Sequence, residues 1–244
     1  MSTAISTNVP LIFGNLVILE RLRVRGGAKG TLIYIISPWI RDVIFPIYEF
    51  GICNPDLGIA TTLTSQIVGE MSRKGVEVRV CTLHYFSDVL SYKHPLKLDN
   101  PADRIKQAFR NMEELEILRD FQSKGALIYL NKNFHSKIIA SSIGLYKGSF
   151  NFTLSGYYKN REDGFYLSNT PTTREEFEQG LLEINEEFFT AQSEAPELTL
   201  EGLLRKHEEI IAETRKNWDF LMEKYIKEAA KATERKIGRH GIVI

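Results

Sequence analysis

The residues best able to do chemistry lie in one segment, 135–162, which reads HSKIIASSIGLYKGSFNFTLSGYYKNRE. His135 and Lys137 are separated by one residue, and on a strand this spacing directs both side chains to the same face. A neutral imidazole is a nucleophile and its protonated form is a general acid, while a neighbouring ammonium attracts an anion. The pair therefore predicts a pocket in which an anionic group is attacked or protonated.

A second block, the Gly-Ser-Phe-Asn sequence at 148–151, supplies neutral hydrogen-bond donors. Its glycine permits a tight turn, and the Ser149 hydroxyl and the Asn151 amide can donate to phosphate oxygens. Together with Lys137 they could hold a phosphodiester without a metal ion. Glu162 is a carboxylate that could bind one histidine ring nitrogen and set its tautomer, as the third member of a catalytic triad does.

The residues upstream of this segment predict a βαβ unit. Leu32–Ile36 is apolar throughout, which predicts a strand buried on both faces, and the Ser-Pro-Trp sequence at 37–39 ends it. Thr61–Lys74 has the apolar periodicity of a helix and is followed by a glycine, and Val76–Leu83 alternates like a strand. Strand, helix and strand within about 50 residues indicate a parallel pair.

The rest of the chain continues this alternation and then changes character. The pattern predicts a loop over Tyr85–Asn100, a helix over Pro101–Lys124, strands over Ala126–Leu130, Ser136–Ala140 and Asp163–Ser168, and a helix over Thr173–Gln192 with an acidic outer face. From Leu200 to about Arg235 the composition predicts one helix, with apolar residues recurring every seven positions. That helix packs on its own domain or against a partner protein. We therefore divide the chain into a domain over 1–195 and an amphipathic helical extension over 196–244.

The order of these motifs resembles the phospholipase D superfamily, and most of all its small single-motif members, the bacterial nucleases. The family pattern is His-x-Lys, Gly-Ser-x-Asn and Asn-x-Glu, and the residues that match it here are His135, Lys137, Gly148, Ser149, Asn151, Asn160 and Glu162. The family also has an aspartate after His-x-Lys, and this chain has Ser142 at that position. In the family that aspartate serves the fold more than the chemistry.

The resemblance implies an α/β fold, a phospholipase D-like mixed β-sheet flanked by helices on both faces. It also implies a homodimer, because residues 1–134 contain no second His-x-Lys motif and single-motif relatives build one site from two subunits. In that site His135 of one subunit forms a phosphohistidine while the other His135 protonates the leaving group. Lys137 and Asn151 stabilise the phosphoryl oxygens, Ser149 assists by hydrogen bonding, and Glu162 orients the imidazole. The resemblance implies no cofactor and no metal.

The substrate that the resemblance favours is nucleic acid, DNA rather than RNA, in a setting such as bacterial DNA restriction or defence. Lys159, Asn160 and Arg161 are close to the proposed site in sequence and are candidates for substrate contacts. Two alternatives stay open. A lipid phosphodiesterase usually carries two motifs and a route to a membrane, neither of which this chain shows. A non-catalytic nucleic-acid-binding or assembly module is favoured by the departure at Ser142.

Composition excludes several other classes of protein. The chain has 244 residues, 43% hydrophobic and 25% charged, which is typical of a globular protein. Equal numbers of basic and acidic residues, 31 of each, exclude a polycationic nucleic-acid coat and an acidic disordered tail, although not a local basic patch. One basic cluster lies on a strand-like segment, where it forms either a solvated face or a track for a phosphate backbone: Arg21, Arg23, Arg25 and Lys29.

Cysteine and histidine usage adds two expectations. Cys53 and Cys81 are too few for a disulfide framework or a four-cysteine zinc site, and their rarity fits a reducing cytosol. We interpret His84 and His94 as loop residues and not as metal ligands, because no second cluster has metal-ligand spacing. We also expect no signal peptide and no membrane span, since the apolar stretches are short, so the prediction is a cytoplasmic protein.

Overall fold

The computed structural model describes residues 13, 16–17, 19–20, 23–47, 60–83, 94–131, 135–153, 164–194 and 199–240. The chain divides into two compact units. The first comprises Met1–His84 and Glu116–Leu198, and the second comprises Tyr85–Leu115 and Thr199–Ile244. The division into domains at residues 195 and 196 stays a prediction.

The first unit is built on a mixed six-stranded sheet with the order β5-β4-β1-β6-β7-β8. Its strands are β1 Leu32–Ile36, β4 Glu77–Leu83, β5 Leu127–Asn131, β6 Ile138–Ser141, β7 Gly144–Gly148 and β8 Gly164–Ser168. β1, β4 and β5 are parallel to one another, whereas β6 pairs antiparallel with β1 and the chain then continues antiparallel through β7 and β8. A separate antiparallel ribbon contains β2 Ile44–Ile47 and β3 Ala60–Leu63.

Five helices with defined bounds accompany the strands in the described residues. They are α1 Thr64–Arg73, α2 Pro101–Ser123, α3 Arg174–Glu194, α4 Leu200–Lys216 and α5 Trp218–His240, and a single 3₁₀ turn spans Pro95–Lys97. Within the described part of the chain, no helix has the length and hydropathy needed to cross a bilayer.

The predicted fold class and the predicted βαβ unit are confirmed. β1 and β4 are parallel, α1 lies between them in sequence, and four of the five residues of β1 are buried, as expected for a strand covered on both faces. On one face the Phe188 ring of α3 packs against Tyr34 of β1 and Tyr129 of β5, with ring centroids 5.4 and 4.8 Å apart. α1 packs against β4 through the buried side chains of Ile67, Val68 and Met71.

Several predicted boundaries were wrong. Residues 61–63 belong to β3, where two consecutive β-branched threonines favour a strand, so α1 begins only at Thr64. The carboxylate of Asp42 accepts hydrogen bonds from the Ser65 N–H (3.0 Å) and hydroxyl (2.7 Å), which satisfies donors at the start of that helix. The five-residue strand β7 was not predicted. Residues 23–25 are helical and not strand-like, while Arg21 lies outside the described residues.

The single helix predicted after Leu200 is in fact two helices. α4 ends at Lys216 and α5 begins at Trp218, with Asn217 as the C-cap between them. Both the backbone N–H and the side-chain amide of Asn217 donate to the carbonyl oxygen of Glu213, at 3.0 and 3.1 Å. Asparagine competes in this way for backbone acceptors, which is why it favours helix ends. A role of these helices in binding a partner protein stays a prediction.

The predicted loop over Tyr85–Asn100 is described only from residue 94 onward, where it contains the 3₁₀ turn. The Nδ1 atom of His94 accepts a hydrogen bond from the Leu96 N–H at 3.2 Å and so caps this turn. His84 and Cys53 lie outside the described residues. Among the residues described, no three His, Cys, Asp or Glu side chains form a group able to hold a metal ion.

In the second unit a series of hydrogen bonds joins Gln107, Asn111, His207 and Leu203, and each side chain donates to the next residue in that order. The Gln107 side-chain amide donates to Asn111 Oδ1 (2.9 Å), and Asn111 Nδ2 lies 3.0 Å from His207 Nε2. His207 Nδ1 lies 2.9 Å from the Leu203 carbonyl oxygen, which can only accept. His207 therefore carries its proton on Nδ1 and accepts at Nε2. It is fully buried beside the apolar cluster of Ala108, Ile210 and Ile211.

We predict that acidification destabilises the fold through His207. Burial lowers the pKa of His207 below its ordinary value of 6.5, partly offset by the hydrogen bond to Leu203, and nearby His94 lowers it further. The unfolded chain therefore binds more protons, and the free energy of unfolding should fall as pH drops below about 6.5. Urea unfolding of the wild type and of His207→Gln at pH 7.5, 6.5 and 5.5 measures this. Equal pH dependence in the two proteins would contradict it.

Candidate active site

The strand directions place the start of β6 at the carboxyl ends of the parallel strands. β6 runs antiparallel to β1, with Ile138 opposite Ile36, so residues 135–137 lie beyond the end of β1. β4 and β5 end at the same edge of the sheet because they are parallel to β1. In open α/β sheets this edge is where ligands bind.

The structure brings the side chains of His135 and Lys137 into contact. Lys137 Nζ lies 3.1 Å from His135 Nε2 and 3.2 Å from His135 Nδ1, and it donates to the His135 carbonyl oxygen at 2.8 Å. The amino group thus lies at nearly the same distance from both ring nitrogens, and the tautomer of His135 decides which of them can accept from it. Lys137 is only 5% exposed, whereas His135 is exposed. The pair therefore combines an exposed imidazole with a buried amino group.

The Gly-Ser-Phe-Asn sequence follows β7 and starts beside Lys137. The Gly148 N–H donates to the Lys137 carbonyl oxygen at 3.1 Å, which continues the pairing of β6 with β7. Ser149 is exposed and Asn151 is partly buried. The Asn151 Oδ1 atom is buried and accepts no hydrogen bond from any described residue. Backbone pairing thus places both blocks of the motif at the same edge of the sheet.

Ser37, the residue after β1, holds the next part of this segment. Its hydroxyl accepts from the Phe152 N–H at 2.9 Å and donates to the Trp39 carbonyl oxygen at 2.7 Å. The Arg41 N–H donates to the Phe152 carbonyl oxygen at 2.9 Å, next to a parallel bridge between Ile40 and Phe152. Phe152 therefore lies against the chain that leaves β1, and Ser37 has a positional role that its place at the end of a strand did not show.

Four predicted site residues, Lys159, Asn160, Arg161 and Glu162, lie outside the described residues. Their roles as substrate contacts and as the carboxylate that orients the imidazole stay predictions.

Sequence reasoning missed Glu187, which it assigned to the acidic outer face of α3. Its Oε1 atom accepts from the Ser136 hydroxyl at 2.7 Å, and its Oε2 atom accepts from Asn131 Nδ2 at 3.4 Å. The sequence did contain a signal, because Glu187 lies between the buried positions Ile184 and Phe188 on the helix. Burial, and to a lesser extent this carboxylate, raise the pKa of the Cys81 thiol, so that Cys81 is no competing nucleophile at neutral pH.

A second unpredicted carboxylate binds Ser142, the position at which the family pattern has aspartate. Glu20 is fully buried, and its Oε1 atom accepts from the Ser142 N–H at 3.0 Å and from the Ser142 hydroxyl. Its Oε2 atom lies 3.7 Å from Arg23 Nε. Asn169 Nδ2 donates to the Ser142 carbonyl oxygen at 2.9 Å. The turn between β6 and β7 is therefore held by a carboxylate from a distant part of the sequence.

We predict that introducing the family aspartate damages this protein. Ser142→Asp would place a second carboxylate against buried Glu20, and we expect the free energy of unfolding to fall by roughly 3 kcal/mol. Combining it with Glu20→Gln should recover much of that loss, because the new amide can donate to Asp at 142. Urea unfolding followed by circular dichroism measures both variants. A single variant as stable as the wild type would contradict this account of Glu20.

Comparison with known proteins identifies one family. Residues 47–183, more than half of the chain, match the family described as "Cardiolipin synthase, PLD-like domain". No curated protein matches the chain.

Three solved structures are similar to this chain at low sequence identity. Nuc from Salmonella typhimurium, a phospholipase D family member, is 17% identical, with 71% of this chain and 86% of Nuc covered and a TM-score of 0.37. Polyphosphate kinase from Porphyromonas gingivalis is 14% identical, with 75% and 22% covered and a TM-score of 0.41. NucT from Helicobacter pylori is 9% identical, with 74% and 91% covered and a TM-score of 0.34.

Proposed function

The chain belongs to the phospholipase D superfamily, and we propose that it is a metal-independent phosphodiesterase that cleaves nucleic acid, DNA rather than RNA. The observation that carries the proposal is the contact of the Lys137 ammonium with the His135 imidazole at 3.1 Å, beside the segment that contains Ser149 and Asn151. An imidazole, which is a nucleophile when neutral, and a cation in contact with it suit attack on an anionic phosphorus centre.

In the proposed first step a ring nitrogen of His135 attacks phosphorus. The new P–N bond forms as the P–O bond to the leaving group breaks, and the leaving oxygen takes a proton from His135 of the partner subunit. Lys137, Ser149 and Asn151 donate hydrogen bonds to the phosphoryl oxygens, whose charge grows in the transition state. Glu162 is proposed to orient the imidazole.

In the proposed second step water attacks the phosphohistidine. The P–N bond breaks and a P–O bond forms, while His135 of the partner subunit accepts the proton that water loses. The proton balance is thereby restored for the next turnover. Lys159, Asn160 and Arg161 are proposed to contact the nucleic acid on either side of the scissile phosphate.

The proposed homodimer follows from the number of histidines in the motif. One imidazole cannot attack phosphorus and protonate the leaving oxygen in the same step, and the chain has one His-x-Lys sequence. His135 is exposed, so a second copy of the site can approach it. A two-fold interface around this residue would bring two imidazoles to one phosphate. We place the activity in the cytoplasm and propose a role in bacterial DNA restriction or defence.

We predict cleavage of DNA in the presence of EDTA. Labelled single- and double-stranded DNA, RNA of the same sequence, a generic phosphodiester and phospholipid vesicles are incubated with the wild type and with His135→Ala. DNA should be cut, and His135→Ala should lower kcat at least about 10³-fold, because the nucleophile is lost. His94→Gln, which changes a histidine outside the His-x-Lys motif, serves as the control and should cleave normally.

The same assay separates the alternatives. Activity that EDTA abolishes and only a divalent ion restores would contradict the metal-independent mechanism. DNA binding without cleavage, unchanged in His135→Ala, would indicate a non-catalytic binding or assembly module. Hydrolysis of the vesicles alone would indicate a lipid phosphodiesterase.

We predict that the two subunits of the proposed dimer share one site. If each reaction needs two His135 residues, an equal mixture of wild-type and His135→Ala chains, allowed to exchange subunits, should keep about a quarter of the full activity. Independent sites would keep about half. Cleavage rates across a series of mixing ratios distinguish a quadratic from a linear dependence, and a linear dependence would contradict the shared site.

A further inference from the structure

The segment that contains His135 and Lys137 connects β5 and β6, two strands that are not neighbours in the sheet. β5 and β6 are separated in the sheet by β4 and β1, which corresponds to about 14 Å at normal strand spacing. The chain covers this distance between Asn131 and Ile138, and residues 135–137 belong to no strand. A short connection of this kind needs anchors outside the ladder if its side chains are to keep a fixed position.

Glu187 contacts both ends of this connection from α3. Its two carboxylate oxygens accept from Ser136, the residue between His135 and Lys137, and from Asn131, the last residue of β5. Asn131 is 1% exposed, so one end of the bridge lies in the protein interior. A carboxylate is suited to this position because both of its oxygens accept and neither donates.

We infer that Glu187 is a positioning residue that fixes the His135–Lys137 segment on the sheet; its catalytic consequence rests on the function proposed above. Glu187 acts through Ser136, whose side chain points toward α3. On the other side, the Gly148 N–H holds the Lys137 carbonyl oxygen. The segment is thus held at two adjacent residues from two directions.

α3 itself does not depend on this carboxylate for its packing. Phe188 packs on Tyr34 and Tyr129, and Ile184 is fully buried, so substitutions at Glu187 leave the apolar contacts of the helix in place. Glu186 is exposed on the same helix and offers a matched control with the same charge.

The position of the segment can be measured without any substrate. If Glu187 anchors the segment, the segment is held less firmly in Glu187→Ala and in Ser136→Ala. The hydrogen bond from Gly148 to Lys137 should then open more often in both variants. The Gly148 amide should then exchange with solvent about tenfold faster in nuclear magnetic resonance, while the amide of Ile35 in β1 and the control Glu186→Ala remain as in the wild type. Unchanged Gly148 exchange in both variants would overturn the inference.

Kinetics test the link to catalysis. In the DNA cleavage assay we expect Glu187→Ala and Ser136→Ala each to lower kcat about tenfold with KM within about twofold, because misplacement of reacting groups affects the transition state more than binding. The double variant should be no slower than Glu187→Ala, since that variant has already lost the hydrogen bond to Ser136. Glu187→Gln keeps an acceptor for Ser136 and should restore part of kcat.

These outcomes separate the inference from the proposed function. A wild type that cleaves no substrate contradicts the proposed function, while the Gly148 exchange still decides whether Glu187 anchors the segment. A wild type that cleaves DNA, with kcat unchanged in Glu187→Ala and Ser136→Ala, overturns the positioning role. Additive losses in the double variant also overturn it, because they would show that the two residues act separately.

Discussion

The antiparallel insertion of β6 beside β1 is the constraint on which the rest of this structure depends. β1, β4 and β5 are parallel and end at one edge of the sheet. An antiparallel neighbour must begin at that edge, and the residues before it are His135 and Lys137. A parallel β6 would have carried the same sequence to the opposite edge, away from Ser37 and Asn131. The chemistry available to the motif is therefore decided by strand direction before any side chain is considered.

Beyond the ends of the strands, side chains take over the hydrogen bonding that the ladder no longer supplies. Ser37 links the chain that leaves β1 to Phe152. Glu187 links α3 to Ser136, which lies between β5 and β6. Each is a side-chain link between segments far apart in sequence. Buried backbone and amide groups must find such partners, and here the partners also fix the geometry of the candidate site.

The sequence allowed the strongly patterned parts of the fold to be predicted, because their signals are local. Pro101 marks the first residue of α2, and the apolar run of Leu32–Ile36 is the central strand β1. β7 was not predicted, because a five-residue strand with a glycine at each end has little β-strand propensity of its own. It forms through pairing with β6 and β8. Glycine is favoured there, since a Cβ atom on Gly144 would overlap with the Tyr166 side chain.

In the candidate site, too, the sequence predicted the local contacts and not the contacts between distant residues. The spacing of His135 and Lys137 predicted two side chains on one face, and the structure places them in contact. Glu187 and Glu20 could not be found in this way, because their partners are 51 and 122 residues distant and only the folded chain brings them together. A pattern along the sequence contains no information about which distant carboxylate reaches a given turn.

The carboxylate of Glu20 beside Ser142 has a consequence for how relatives of this chain are recognised. A turn between β6 and β7 needs one acceptor, and two positions in the sequence can supply it. Homologous chains should therefore carry an acidic residue at one of these positions and seldom at both, so that the two columns of an alignment vary together. A search that demands the aspartate within the motif discards members of the family whose acceptor has moved to the other position, and such chains would be misread as degenerate.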